Sequence, residues 1–95
     1  MTAYLLAQVE INDPDGFREY ANAFAPTLAS FGGKVLTADD NAHAVEGTWP
    51  TGRVVIIEFD SAEIAHAWYQ SEAYQRISSI RRANSDANMV VVAGI

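Results

Sequence analysis

The order in which two periodicities follow one another limits this chain to very few folds. β-prone stretches and helical stripes alternate as strand, helix, strand, strand, helix, strand along residues 1–95. In Ala3–Ile11, the residues Ala3, Leu5, Ala7, Val9 and Ile11 share one face, and Tyr4, Leu6, Gln8 and Glu10 share the other. Arg53–Phe59 is the strongest strand: β-branched, with Val55, Ile57 and Phe59 on one side and Val54, Ile56 and Glu58 on the other. Lys34–Ala38 and Asn88–Ala93 supply the other two strands.

The first helix opens at Asn12-Asp13-Pro14-Asp15, with Asp13 as N-cap and Pro14 at the first helical position, where its missing N–H costs nothing. Phe17, Tyr20, Ala21, Phe24, Leu28 and Phe31 form its apolar stripe, and Gly32-Gly33 stops it. Pro26 lies within this run, so a kink or break is expected near Asn22–Ala25. Asp39-Asp40-Asn41 reads as a solvated polar turn, His43–Glu46 as a return to extended chain, and Gly47–Gly52 as a loop. Ser61 caps a second helix whose inner stripe is Ile64, Ala67 and Trp68. Ser71-Glu72 restarts it, with Tyr74, Ile77, Ser78 and Arg81 on one side, and Asn84–Ala87 serves as connector.

This order is the ferredoxin-like βαββαβ plan, an α+β domain with both helical segments on one face of a four-stranded antiparallel sheet. A chain of 95 residues fits one domain, 1–95. The helices leave the other sheet face uncovered, and there Tyr4, Leu6, Val54 and Ile56 are too apolar for water. A second copy of the chain is the simplest cover, so a homodimer through this face is expected.

Composition removes several functions. Without cysteine there is no disulfide framework, thiolate metal site or Cys nucleophile. Twelve acidic residues against six basic ones, a net charge of −6, oppose nucleic-acid binding, which needs clustered Lys and Arg. Met1–Leu6 lacks a basic segment of the signal-peptide type and the apolar run Met89–Ile95 is too short to span a membrane, so a cytoplasmic protein is expected. His43 and His66 are far apart and have no ligand-spaced neighbour, so neither a metal nor a cofactor is expected.

Several segments together resemble the domain of unknown function 1330 (DUF1330) family of the dimeric α/β-barrel superfamily. They are Asp13-Pro14 with Phe17 and Tyr20, Phe31-Gly32-Gly33-Lys34, and Val45-Glu46-Gly47-Thr48-Trp49-Pro50. Arg53 leading into Val55–Phe59, Ala67–Tyr74 and Arg81 complete the set. The chain departs from the family pattern at Val35-Leu36, where relatives often carry an aromatic residue, and at Asp39-Asp40, where they often carry Gly. The resemblance implies pairing into a dimeric α/β barrel but no particular reaction. Its superfamily includes cofactor-independent monooxygenases, haem-degrading enzymes, small isomerases and proteins that only bind ligands.

Tyr20, Trp68, Tyr69 and Tyr74 offer aromatic walls with polar tips, suited to a flat organic molecule or simply to the core. Arg53 and Arg81 are the candidate clamps for a small organic anion, or the partners of carboxylates. Glu58 interrupts an apolar strand; it is a candidate general base if desolvated and a structural partner if paired with Arg53, Arg81 or Arg82. Three readings follow: a small-molecule-binding module, a cofactor-free oxygenase or isomerase acting on an enolisable substrate, and a dimer without a cavity.

Overall fold

The computed structural model describes all residues, 1–95. Strand β1 (Ala3–Ile11) leads through the Asp13 cap into helix α1 (Pro14–Leu28), which ends in a 3₁₀ turn over Ala29–Phe31. Strands β2 (Lys34–Asp39) and β3 (Arg53–Phe59) follow, then helices α2 (Ala62–Gln70) and α3 (Glu72–Asn84) and strand β4 (Ser85–Ala93). The strands pair antiparallel in the order β2-β3-β1-β4, the ferredoxin-like arrangement.

The local signals act as expected at the helix starts. Asp13 Oδ1 accepts from the Gly16 amide at 3.2 Å, and Ser61 Oγ accepts from that of Ile64 at 3.2 Å. Ser71 both closes α2, donating its hydroxyl to the Trp68 carbonyl at 2.7 Å, and caps α3 by accepting from the Tyr74 amide at 3.2 Å. Gly32 takes the left-handed conformation (φ 65°) after the 3₁₀ turn.

Four expectations need correction. First, the break expected at Pro26 is absent: α1 is continuous from Pro14 to Leu28. Pro26 and Asn22 are both exposed, so the Asn22 carbonyl that loses its helical donor is open to water, and only the last helical turn follows the proline. Second, His43–Glu46 is not extended strand but part of an irregular loop between β2 and β3. Third, there is no connector at Asn84–Ala87. Strand β4 begins at Ser85, and the Asn84 carbonyl accepts from the Asn12 and Asp13 amides at 2.8 and 3.3 Å, which fixes the helix end against the start of α1. Fourth, Ala65 rather than Ala67 is buried beside Trp68 in α2.

The core lies between the helices and the odd-numbered faces of β1 and β3. Leu5, Ala7, Val9, Ile57 and Phe59 meet Phe17, Tyr20, Leu28, Ala65, Trp68 and Tyr74. Aromatic rings dominate it: Trp68 and Tyr74 have centroids 4.2 Å apart, and Phe24 stands edge-on to Trp68 at 5.9 Å. On the opposite sheet face the register sets Leu6 between Ile56 and Val90, and Tyr4 between Glu58 and Val92. Val90 is 52% exposed and Val92 39%, so β4 extends the uncovered apolar patch beyond the residues of β1 and β3.

Candidate functional site

A cavity of about 160 Å³ opens between α1 and the helix-facing side of the sheet. Its floor is β1 and β3, through Leu5, Ala7, Val9, Val55 and Ile57. Phe17, Tyr20, Ala21 and Phe24 of α1 and Trp68 of α2 form the roof, Val35 and Ala38 of β2 one side, and Met89 of β4 the other. Thirteen of the fourteen lining residues are hydrophobic, and Arg53 is the exception. Trp68 is held in place from behind, its indole Nε1 donating to Thr27 Oγ1 at 3.1 Å.

Arg53 opens β3 on the helix-facing side, its guanidinium carbon 6.0 Å from the centroid of the Phe17 ring. Asp40 binds it with two oxygens, Oδ1 to Nε at 2.7 Å and Oδ2 to Nη2 at 3.3 Å. The guanidinium hydrogen bond holds the Asp40 carboxyl below the usual carboxylate range. A bulge decides which acid meets the arginine. Before it Val35 pairs with Ile57, and after it Thr37 pairs with Ile56 and Asp39 with Val54, so Leu36 is the extra residue. The shift by one residue brings Asp40, not Asp39, level with Arg53. The loop returning to β3 is pinned at its far end. Gln8 Nε2 donates to the Thr51 carbonyl, Thr51 Oγ1 donates to Glu10 Oε2 at 3.0 Å, and Gly52 (φ 119°) crosses so close to β1 that a Cβ there would lie 2.5 Å from the Val9 carbonyl oxygen.

A polar chain passes behind the cavity. The Tyr20 and Tyr74 hydroxyls are 2.9 Å apart, and Arg81 Nε donates to the Tyr74 oxygen at 3.3 Å. All three residues are buried. Guanidinium nitrogen is always a donor, so the Tyr74 oxygen accepts from Arg81; in the Tyr20–Tyr74 bond either hydroxyl can donate, and two protons share that one contact. Tyr74 is wholly enclosed whereas Tyr20 lines the cavity, so donation from Tyr74 to Tyr20 is the arrangement that leaves no proton stranded in the core. Burial, reinforced by Tyr74, pushes the Tyr20 hydroxyl above its ordinary phenol range, so it stays protonated and serves as a donor.

The expected site residues therefore divide. Tyr20, Arg53 and Trp68 come together on the cavity wall. Tyr74 and Arg81 stand behind it, and Arg81 lines a separate groove of about 460 Å³ between α2, α3 and β4. Glu58 lies on the other sheet face, half-buried between Tyr4 and Lys34, outside the cavity, and it forms no ion pair with Arg53, Arg81 or Arg82. Arg53 is taken by Asp40 and Arg81 by Tyr74, and Arg82 is exposed. Sequence reasoning missed Val35, Ala38 and Met89 as wall residues and Asp40 as the arginine's partner. Only a register for the β2–β3 hairpin would have found Asp40, and the bulge at Leu36 carries no local signature. No three His, Asp or Glu side chains cluster as metal ligands, and no helix is long and apolar enough to cross a membrane.

The fold recurs in solved structures. A protein of unknown function from Rhodopseudomonas palustris is 18% identical, with a TM-score of 0.79 over 99% of this chain and 82% of that one. A dimeric ferredoxin-like protein of unknown function from Jannaschia sp. CCS1 is 12% identical, with a TM-score of 0.78 over 99% of this chain and all of that one (100%). SnoaB, a cofactor-independent oxygenase from Streptomyces nogalater, is 13% identical, with a TM-score of 0.63 over 99% of this chain and 93% of that one. At these identities the likeness is one of fold. No curated protein matches the chain. The family model for the domain of unknown function DUF1330 spans residues 2–95, taking in the Asp13-Pro14 cap, the Arg53 strand and the Tyr74–Arg81 helix alike, and the chain belongs to that family.

Proposed function

We propose that the cavity binds a neutral, single-ring aromatic molecule carrying one hydrogen-bond acceptor. The observation that carries this reading is the buried Tyr20–Tyr74 hydroxyl pair, two protons sharing one contact, with Tyr20 in the wall of a cavity whose other lining residues are apolar except Arg53. The volume of about 160 Å³ is close to that of an apolar cavity of about 150 Å³ known to take benzene. An anion is disfavoured here, because Asp40 already neutralises Arg53, the one charged residue in the wall.

The unit that does this is a dimer in the proposal. Leu6, Ile56, Val54, Val90, Val92 and Tyr4 form a continuous apolar strip on the open face, and similar folds such as the Jannaschia protein are dimeric. Two such faces packed together would form a dimeric α/β barrel and leave both cavities on the outside, under their own helices.

A cofactor-free oxygenase or isomerase is the second reading. The free Tyr20 donor favours it, since it would stabilise negative charge developing on a substrate oxygen, and SnoaB shares the fold. The cavity wall, however, contains no His, Asp or Glu to take a proton, and Glu58 is on the far face of the sheet. Binding without turnover is therefore the preferred function.

The test is a phenol titration followed by Trp68 emission in a Trp49→Phe background. Saturable binding is expected, and Ala21→Phe, which adds a ring to the exposed part of the roof, should weaken or abolish it. Binding that survives Ala21→Phe unchanged, or no binding at all, overturns the reading.

A further inference from the structure

We infer that the groove between α2, α3 and β4 is a second binding site, selective for a small organic carboxylate held by Arg81. The inference does not depend on the aromatic cavity.

Arg81 is 6% exposed, yet no carboxylate lies within ion-pair distance of it. Its Nε donates to Tyr74, and the guanidinium also bears on the neighbouring Tyr20 hydroxyl. No carboxylate meets either Nη nitrogen, and neither is left both sealed from solvent and without a partner. Arg81 is one of the residues that line the groove. A buried cation ordinarily finds a carboxylate, and this chain has twelve acidic side chains for six basic ones. An unpaired, nearly buried guanidinium facing a groove of about 460 Å³ is a fork with its carboxylate missing.

The surroundings fit an organic carboxylate better than a bare inorganic ion. Tyr69, Leu5 and Met89 give an apolar wall for the body of the ligand, and the exposed Gln70 and His66 stand at the polar rim. Strand β4, which supplies Ala87, Met89, Val90 and Val91 to the groove, is a sheet edge with backbone groups unpaired on its outer side. Tyr74 fixes the guanidinium through Nε, which pre-sets the fork before a ligand arrives.

The test compares benzoate with benzamide, its neutral analogue, by amide NMR shifts of the whole chain. Benzoate should shift Tyr69, Gln70 and Val90–Val91 saturably, with a Kd of about 1 mM, and benzamide should not. Arg81→Lys should weaken benzoate because the flat fork is lost. Since that change touches the core, Gln70→Glu is the second variant; it puts a repelling charge at the rim and should weaken benzoate about tenfold while the spectrum stays folded. Equal shifts from benzamide, an unchanged affinity in Gln70→Glu, or no saturable shift up to about 20 mM benzoate would overturn the inference. So would intermolecular contacts showing an Asp or Glu of a second copy seated on Arg81. Benzamide also fits the class proposed for the aromatic cavity, and the two sites share Leu5 and Met89, so only shifts at His66, Gln70 and Val90, which line the groove alone, count for or against this inference; phenol binding is read at Trp68.

Discussion

Replacing Tyr74 by Phe removes one oxygen and leaves two groups without a partner. Tyr74 is fully enclosed, so no water can take the place of its hydroxyl. Arg81 Nε loses its acceptor, a bond to a charged donor worth about 1.5–3 kcal/mol, and the Tyr20 bond adds about 1 kcal/mol. The expected loss is about 3 kcal/mol, a large part of the stability of a domain this size. Tyr20→Phe breaks only the neutral bond and should cost about 1 kcal/mol. The double variant loses nothing that Tyr74→Phe has not already lost, so the two single costs should exceed the double by about 1 kcal/mol. Urea unfolding followed by Trp68 emission, at one fixed chain concentration because association shifts apparent stability, measures all four corners of the cycle. A cost below about 1 kcal/mol for Tyr74→Phe, or strict additivity, would refute the hydrogen-bond chain.

Three further outcomes are expected. Ile56→Asp sets a charge in the centre of the open apolar strip, and light scattering should find monomers at concentrations where the parent is dimeric; a parent that is monomeric at micromolar concentration would show that the face is not an interface. Asp40→Asn should flatten the acid limb of the stability curve. Arg53 depresses the folded pKa of Asp40, so the pair's contribution is present above the unfolded value and is lost as pH falls through the lower folded one. With Asp40 largely exposed the effect is small, and identical acid limbs in the two proteins would mean that the pair is not formed in solution. Pro26→Ala restores an amide donor inside a helix that is already continuous, and a rise in Tm equivalent to about 1 kcal/mol is expected; a fall would mean that the proline is needed for the shape of α1.

What was legible in the sequence, and what was not, follows from the range of the interactions involved. Asp13-Pro14, Ser61 and Ser71 act on amides within three residues, so the caps could be read directly. The strand alternation placed Glu58 on the open face, because side-chain direction along a strand is a local property; Arg53 was a candidate clamp by its residue type, and its place in the cavity wall comes from the fold. Pro26 misled because propensity counts the lost bond but not whether the freed carbonyl is exposed. The partner of Arg53 depended on an extra residue at Leu36 in another strand, and the partner of Arg81 on a hydroxyl two helical turns away whose orientation only packing fixes. The aromatic residues could be read as wall or core, and the distinction was settled by depth: Trp68 and Tyr20 border the cavity, while Tyr74 sits behind them.

A crystal structure of the protein with phenol tests most directly whether the cavity presents the Tyr20 hydroxyl as a donor to one aromatic ring. The ring is expected within the walls formed by Phe24, Val55 and Trp68, with its oxygen about 2.8 Å from the Tyr20 hydroxyl. An empty cavity with phenol bound elsewhere, or a ring in the cavity whose oxygen points away from Tyr20, would contradict it.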